Sequence, residues 1–216
     1  MFTFWNPTKN YVEGRYVGNG SLNTTGSARD HTCGAGELFH LNEACPGGAG
    51  LVFPTTMTFD AVSQTASLTN SHVVGTARTQ VRHFVRLGYG GAVVSVDTDG
   101  SGGQQVTANY AITNARVTPY ATASADGDGT TTTIAIAGGG FVVGSHALRN
   151  TTSGDTYSDD VGLDEDYGGS AISQMGFYSR RFNDPVASYT VGHNGIGTWN
   201  AVATCYTSYK PKWSGA

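Results

Sequence analysis

Charge is scarce in this chain. Asp, Glu, Lys and Arg make up 13% of its 216 residues, about half the ordinary share, so the surface must rest mainly on Thr, Ser, Asn and Gly. A net charge of −4 is too small to keep the chain expanded by self-repulsion, which excludes charge-driven disorder. It also argues against nucleic acid, whose binding face needs clustered Lys and Arg. The densest basic group, Arg78, Arg82 and Arg86, lies in a strand-like context with Val81, Phe84 and Val85 and reads as a solvated structural set. Long apolar runs are missing too, and none approaches the roughly 20 residues of a membrane-spanning helix. The start, Met1-Phe2-Thr3-Phe4-Trp5-Asn6-Pro7-Thr8-Lys9, has no basic segment followed by an apolar one. No signal peptide is expected, and folding in a cytoplasm is. An odd cysteine count, Cys33, Cys45 and Cys205, argues against a closed disulfide framework. Neither capped helices nor a Gly-x-Ser-x-Gly nucleophile elbow occurs, and the chain is not expected to be an enzyme.

What is abundant is glycine, 31 residues without a collagen period, together with segments that alternate with the period of a strand. In the closing stretch, Trp199, Ala201, Ala203 and Cys205 fall on one side and Asn200, Thr204 and Ser208 on the other, until Pro211 ends the pattern. Cys205 on that apolar side reads as a buried free thiol. Strands are predicted near 51–59, 61–69, 72–87 (bent), 92–97, 104–113, 116–124, 130–137, 140–148, 171–182, 186–192 and 198–209. Turn chemistry separates them at Asp99-Gly100-Ser101-Gly102-Gly103, Asp126-Gly127-Asp128-Gly129 and Gly138-Gly139-Gly140. Strands at a spacing near ten residues predict an all-β fold, a jelly-roll or lectin-like β-sandwich over 51–216. Residues 1–50, broken by glycines and opened by Phe2, Phe4 and Trp5, read as an irregular Gly-rich N-terminal arm or loops for assembly. Residues 150–169 read as a long polar loop.

Candidate sites are few. His31, Cys33, His40 and Cys45 supply ligand types that suit zinc, but their spacing is not that of the common zinc patterns. Asp97-Thr98-Asp99-Gly100 and Asp126-Gly127-Asp128-Gly129 resemble the opening of calcium loops, yet no Glu follows at the required distance and both read as hairpin turns. The acidic run Asp159, Asp160, Asp164, Glu165 and Asp166 is a better cation candidate, against the plainer reading of a solvated acidic loop. No cofactor is expected. Phe2, Phe4, Trp5 and Trp213, near the two ends of the chain, are the expected partner-binding anchors, since aromatic side chains carry much interface energy.

Three stretches carry a resemblance: Thr131-Thr132-Thr133-Ile134-Ala135-Ile136-Ala137-Gly138-Gly139-Gly140-Phe141-Val142-Val143-Gly144, Ser188-Tyr189-Thr190-Val191-Gly192, and the ending Trp199-Asn200-Ala201-Val202-Ala203-Thr204-Cys205-Tyr206-Thr207-Ser208-Tyr209-Lys210-Pro211. Over about residues 90–211 the chain resembles, at the level of pattern, the jelly-roll or lectin-like β-sandwich domains of tailed-bacteriophage virion proteins. The resemblance implies a non-enzymatic structural protein of the virion, in capsid decoration or the tail, made in the host cytoplasm. Its implied partners are other virion proteins and further copies of itself in a homo-oligomer, a trimer among the options, with no nucleic acid and no membrane. The alternatives are a carbohydrate-binding host-receptor adhesin of a tail fibre and a glycan hydrolase.

Overall fold

The computed structural model of the chain describes residues 10–22, 29–33, 37–87, 92–98, 101–103, 105–149, 160–168, 173–193 and 200–212. These residues are all-β, with no helix among them. The strands in chain order are β1 (Glu13–Leu22), β2 (Arg29–Cys33), β3 (Leu38–Val52), β4 (Met57–Phe59), β5 (Val62–Gln64), β6 (Leu68–Val74), β7 (Ala77–Leu87), β8 (Ala92–Thr98) and β9 (Ser101–Gly103). They continue with β10 (Gln105–Thr113), β11 (Ala121–Asp126), β12 (Thr131–Ile136), β13 (Phe141–Arg149), β14 (Asp160–Val161), β15 (Asp164–Gly168), β16 (Ser173–Arg181), β17 (Val186–His193) and β18 (Ala201–Tyr209).

Two antiparallel sheets form the centre. Inner sheet I runs β1-β10-β3-β7-β6, with β9 also paired to β3, and inner sheet II runs β11-β18-β13-β16-β15. Their facing sides make the largest apolar cluster: Leu38, Ala44, Val81, Val106, Tyr110 and Ile112 from sheet I meet Phe141, Val143, Ala147, Phe177, Cys205 and Tyr209 from sheet II. Each such side chain stabilises the fold by roughly 1.5–3 kcal/mol when removed from water, so this seam is a sandwich core.

The sandwich is covered on both outer sides. Cover sheet I, β2-β8-β4-β5, lays Met57, Phe59, Val94 and Val96 on Phe39, Leu41 and Phe84 of inner sheet I. Cover sheet II, β12-β17-β14, lays Ile134, Ile136 and Val191 on Val142, Tyr178 and Tyr206 of inner sheet II. The stack is four layers deep, so strands at its centre have no wet face. All nine residues of β18 are buried, as are all but the last residue of β10 and of β13.

Several expectations change here. The described part of residues 1–50 is not set apart from the sandwich: β1 and β3 are strands of inner sheet I, and β3 is its middle one. Pro46 and the glycines after it hide β3 in the sequence. Pairing with β10 runs only to Ala44, so the proline falls past the end of that ladder, where its missing N–H is tolerated. The single bent strand expected over 72–87 is a hairpin of β6 and β7, turned at Gly75 with φ 59°. The polar stretch 150–169 contains β14 and β15. Arg82, expected to be solvated, is buried against Glu43. The turn at Gly138-Gly139-Gly140 is where expected, and Gly139 (φ 69°) must be glycine twice over: its φ is left-handed, and a Cβ there would strike the Asn10 carbonyl.

Candidate functional site

Polar side chains gather in two kinds of place, inside the seams and in a groove near one edge of inner sheet I. The groove has a volume of about 280 Å³ and is lined by Glu13, Gly14, Arg15, Glu37, Ala111 and Thr113. Antiparallel register sets Glu13 opposite Thr113 and Arg15 opposite Ala111. Strand alternation then brings these four side chains to one face. Glu37, just before β3, closes the far wall. Arg15 Nη2 lies 3.2 and 3.3 Å from the two carboxylate oxygens of Glu37, and the Thr113 hydroxyl donates to Glu13 Oε2 at 3.2 Å. The Arg15 side chain is 59% exposed, so this ion pair is open to competition from water or ligand. Two carboxylates, a guanidinium and a hydroxyl around a small apolar floor can hydrogen-bond a small polar molecule. Sequence reasoning missed the groove, because Glu37 and Arg15 are 22 residues apart and only the sheet joins them.

Within the central seam, His83 Nε2 lies 2.6 Å from Ser145 Oγ and its Nδ1 lies 2.8 Å from Thr207 Oγ1. The spacing is that of a nucleophile and its base, but His83 and Ser145 are fully buried. The pair ties inner sheet I to inner sheet II and has no access for a substrate. Burial drives the His83 pKa well below its ordinary value, with the neighbouring His40 adding to the shift. On the outer side of inner sheet I, Glu43 and Arg82 form a bidentate pair in which Arg82 Nη2 donates to Glu43 Oε1 at 3.0 Å. Arg82 also stacks over the Phe84 ring.

The sequence candidates are dispersed. His40 and Cys45 differ by five positions on β3, an odd spacing that places them on opposite sheet faces. His31 is spent on Asn109 and Thr107, and the Cys33 side chain lies outside the described residues. Cys45 and Cys205 are buried free thiols, both pushed up in pKa by burial. In the acidic run, Asp159 and the side chain of Asp160 lie outside the described residues, while Asp164 and Glu165 are exposed on edge strand β15. Asp166 turns inward and accepts a bond from Tyr110 OH at 2.9 Å. Burial raises its pKa despite the bonds from Ser179 and Tyr110. Among the described residues, no group of three or more His, Cys, Asp or Glu is placed to hold a metal ion. Phe2, Phe4, Trp5 and Trp213 lie outside the described residues. Comparison with family models, with curated proteins and with solved structures finds no match.

Proposed function

We propose that the chain is a structural protein of a tailed-phage virion, of jelly-roll type, that works in capsid decoration or the tail through protein–protein contacts rather than catalysis. The observation that carries this reading is the outward face of the two cover sheets. On cover sheet II, Thr131 and Thr133 of β12 and Ser188 and Thr190 of β17 are exposed. On cover sheet I, Thr32, Ser63 and Val93 are exposed. Broad sheet faces of short polar and β-branched side chains lose little rotamer entropy on contact and carry little charge to desolvate, which suits packing against neighbouring subunits. Their backing by further sheets supports rigidity. The test is to purify particles of the phage that encodes the chain by density gradient and to count the chain by quantitative mass spectrometry. A fixed copy number per particle is expected; its absence from particles overturns the reading.

The groove at Glu13, Arg15, Glu37 and Thr113 favours one second reading, a carbohydrate-binding adhesin, since its side chains match the hydrogen-bonding pattern of a polyol. Binding on a glycan array that is lost in Arg15→Ala supports that alternative.

A further inference from the structure

Histidine occupies every seam of the stack. Between cover sheet I and inner sheet I, His31 bonds Asn109 Oδ1 at 3.0 Å and Thr107 Oγ1 at 2.8 Å. Between the inner sheets, His40 bonds Tyr209 OH while His83 bonds Thr207 and Ser145. Between inner sheet II and cover sheet II, the rings of His146 and His193 stand 6.0 Å apart. All five are buried. The central pair is the most constrained, because the His40 and His83 rings meet edge to face at 4.9 Å. The Asn42 amide nitrogen donates to Gly144 O, so its Oδ1 faces His40 Nε2 and can only accept. His40 therefore carries its proton on Nε2, and Nδ1 accepts from Tyr209 OH. A second proton on His40 would turn that acceptor into a donor, and the Tyr209 hydroxyl would have to give up the bond it donates and rotate to accept instead.

We propose that the stack is acid-labile by construction: protonation of the seam histidines uncouples the layers, and the central pair His40 and His83 sets the transition. The inference goes beyond the virion reading and stands without it. All four ring nitrogens of the central pair are engaged by hydroxyl or amide groups rather than by carboxylates. Charge on one imidazole opposes charge on the other. Tyr110 packs on His40 at 6.1 Å, and Asp166 reaches the cluster through the Tyr110 hydroxyl. The other facing groups, Ser145, Thr207 and Tyr209, are neutral across the acid range. The outer seams differ in having a carboxylate near a polar histidine, Asp30 beside His31 and Asp128 Oδ1 at 3.3 Å from His193 Nδ1. Burial still lowers His31 and, with His146 adding to the shift, takes His193 to about 3. His146 faces His193, Tyr178 and Tyr206.

The sign follows from burial. Desolvation lowers His40 to about 4 and holds His83 well below the ordinary value of 6.5. Between those values the unfolded chain binds more protons than the folded one. The stability these histidines contribute is fully present above about pH 6.5 and drains as pH falls toward 4. Each histidine held neutral multiplies the unfolded-to-folded ratio about tenfold per pH unit in that window, so the central pair gives about a hundredfold.

The experiment uses the full chain. Imidazole NMR signals and near-ultraviolet circular dichroism are followed together from pH 7.5 to 3.5, with His40→Gln and His83→Gln assigning the two signals. The expected result is that both imidazoles stay neutral until tertiary signal is lost, that the loss falls between pH 6 and 4, and that it takes up at least two protons, His31 and His193 adding to the count where their seams open as well. In His83→Gln, which keeps a hydrogen-bonding amide but cannot titrate, the steepness should fall by about one proton. Two results overturn the proposal: either imidazole titrating near pH 6.5 while the near-ultraviolet signal persists, or a transition whose steepness is the same in His83→Gln. If the glutamine variants do not fold, the unsubstituted chain still decides, because a persisting tertiary signal at pH 4 overturns the proposal outright.

Discussion

The seam under cover sheet I and the seam between the inner sheets solve the same problem with different chemistry. The first joins its layers mainly through three phenylalanines, Phe39, Phe59 and Phe84, in edge-to-face pairs at 5.2 and 6.0 Å, with Leu41, Met57, Val94 and Val96 around them, and sets its polar contacts, His31 with Asn109 and Thr107 and Glu43 with Arg82, beside that cluster. The second sets His40, Asn42, His83, Ser145 and Thr207 among its apolar side chains. Apolar contact is non-directional and tolerates sliding, whereas a buried histidine with both nitrogens engaged fixes one alignment of the two sheets. The difference teaches that adhesion and register are separable here. The phenylalanine cluster supplies free energy, and the buried histidines, dense in the central seam and represented by His31 under cover sheet I, supply uniqueness at some cost in stability.

The apolar seam breaks most at Phe59. Phe59→Ala removes both aromatic pairings at once and opens a cavity, which should cost about 4 kcal/mol. The urea midpoint should fall steeply, with the m-value retained if the inner sheets stay intact. A loss below about 1 kcal/mol would mean that cover sheet I contributes little adhesion.

Next in size is the ion pair that shares this face of inner sheet I. Arg82→Met keeps much of the packing over Phe84 but leaves the Glu43 carboxylate buried without its cation, at a cost of about 3 kcal/mol. Glu43→Leu combined with Arg82→Met should recover most of that loss, because no charge then remains in the interior. Thermal unfolding of the single and double variants checks both statements. A double variant as unstable as the single one would show that the pair itself holds the fold.

In the polar seam the expected effect is smaller. Tyr209→Phe keeps the ring and removes the hydroxyl that bonds His40 Nδ1, leaving one buried acceptor unsatisfied at a cost of about 2 kcal/mol. Denaturant unfolding measures it. The comparison sharpens if Tyr209→Phe also broadens the spectrum of the inner-sheet side chains, since register, more than adhesion, would then have been lost.

How much of this was legible in the sequence depends on whether a strand keeps a local alternating pattern free of charged and chain-breaking residues, since β18 and β3 are both buried on two faces. The all-β class was legible from alternation in β18, from Thr131–Ile136 and from the turns at 126–129 and 138–140, because those signals are local. β3 was not, since its interior carries His40, Asn42 and Glu43. It therefore shows no dry side and wet side, and Pro46 and Gly47 read as breakers. Arg82 looked solvated because its partner Glu43 is 39 residues away and is met only through the β3–β7 register. The groove needed the same long-range pairing. The anchors read at Phe2, Phe4, Trp5 and Trp213 lie outside the described residues.

The smallest effect is expected where the chemistry of the Glu43–Arg82 pair recurs at the surface. Arg15 and Glu37 make the same guanidinium–carboxylate contact, but with the arginine mostly in water. Arg15 is largely solvated and Glu37, with 16% of its side chain exposed, borders the open groove, so separating them leaves no fully buried charge, and the pair holds two flexible side chains in one geometry at an entropic cost. Arg15→Ala should therefore change stability by less than about 0.5 kcal/mol, against about 3 kcal/mol for Arg82→Met. Equilibrium urea unfolding at low salt and again at 0.5 M salt checks it, since any residual contribution should vanish on screening. A loss of 2 kcal/mol or more that persists in salt would make the groove part of the fold. A near-zero loss leaves Arg15 and Glu37 as side chains that the structure does not need for stability, and whose chemistry is open to a ligand.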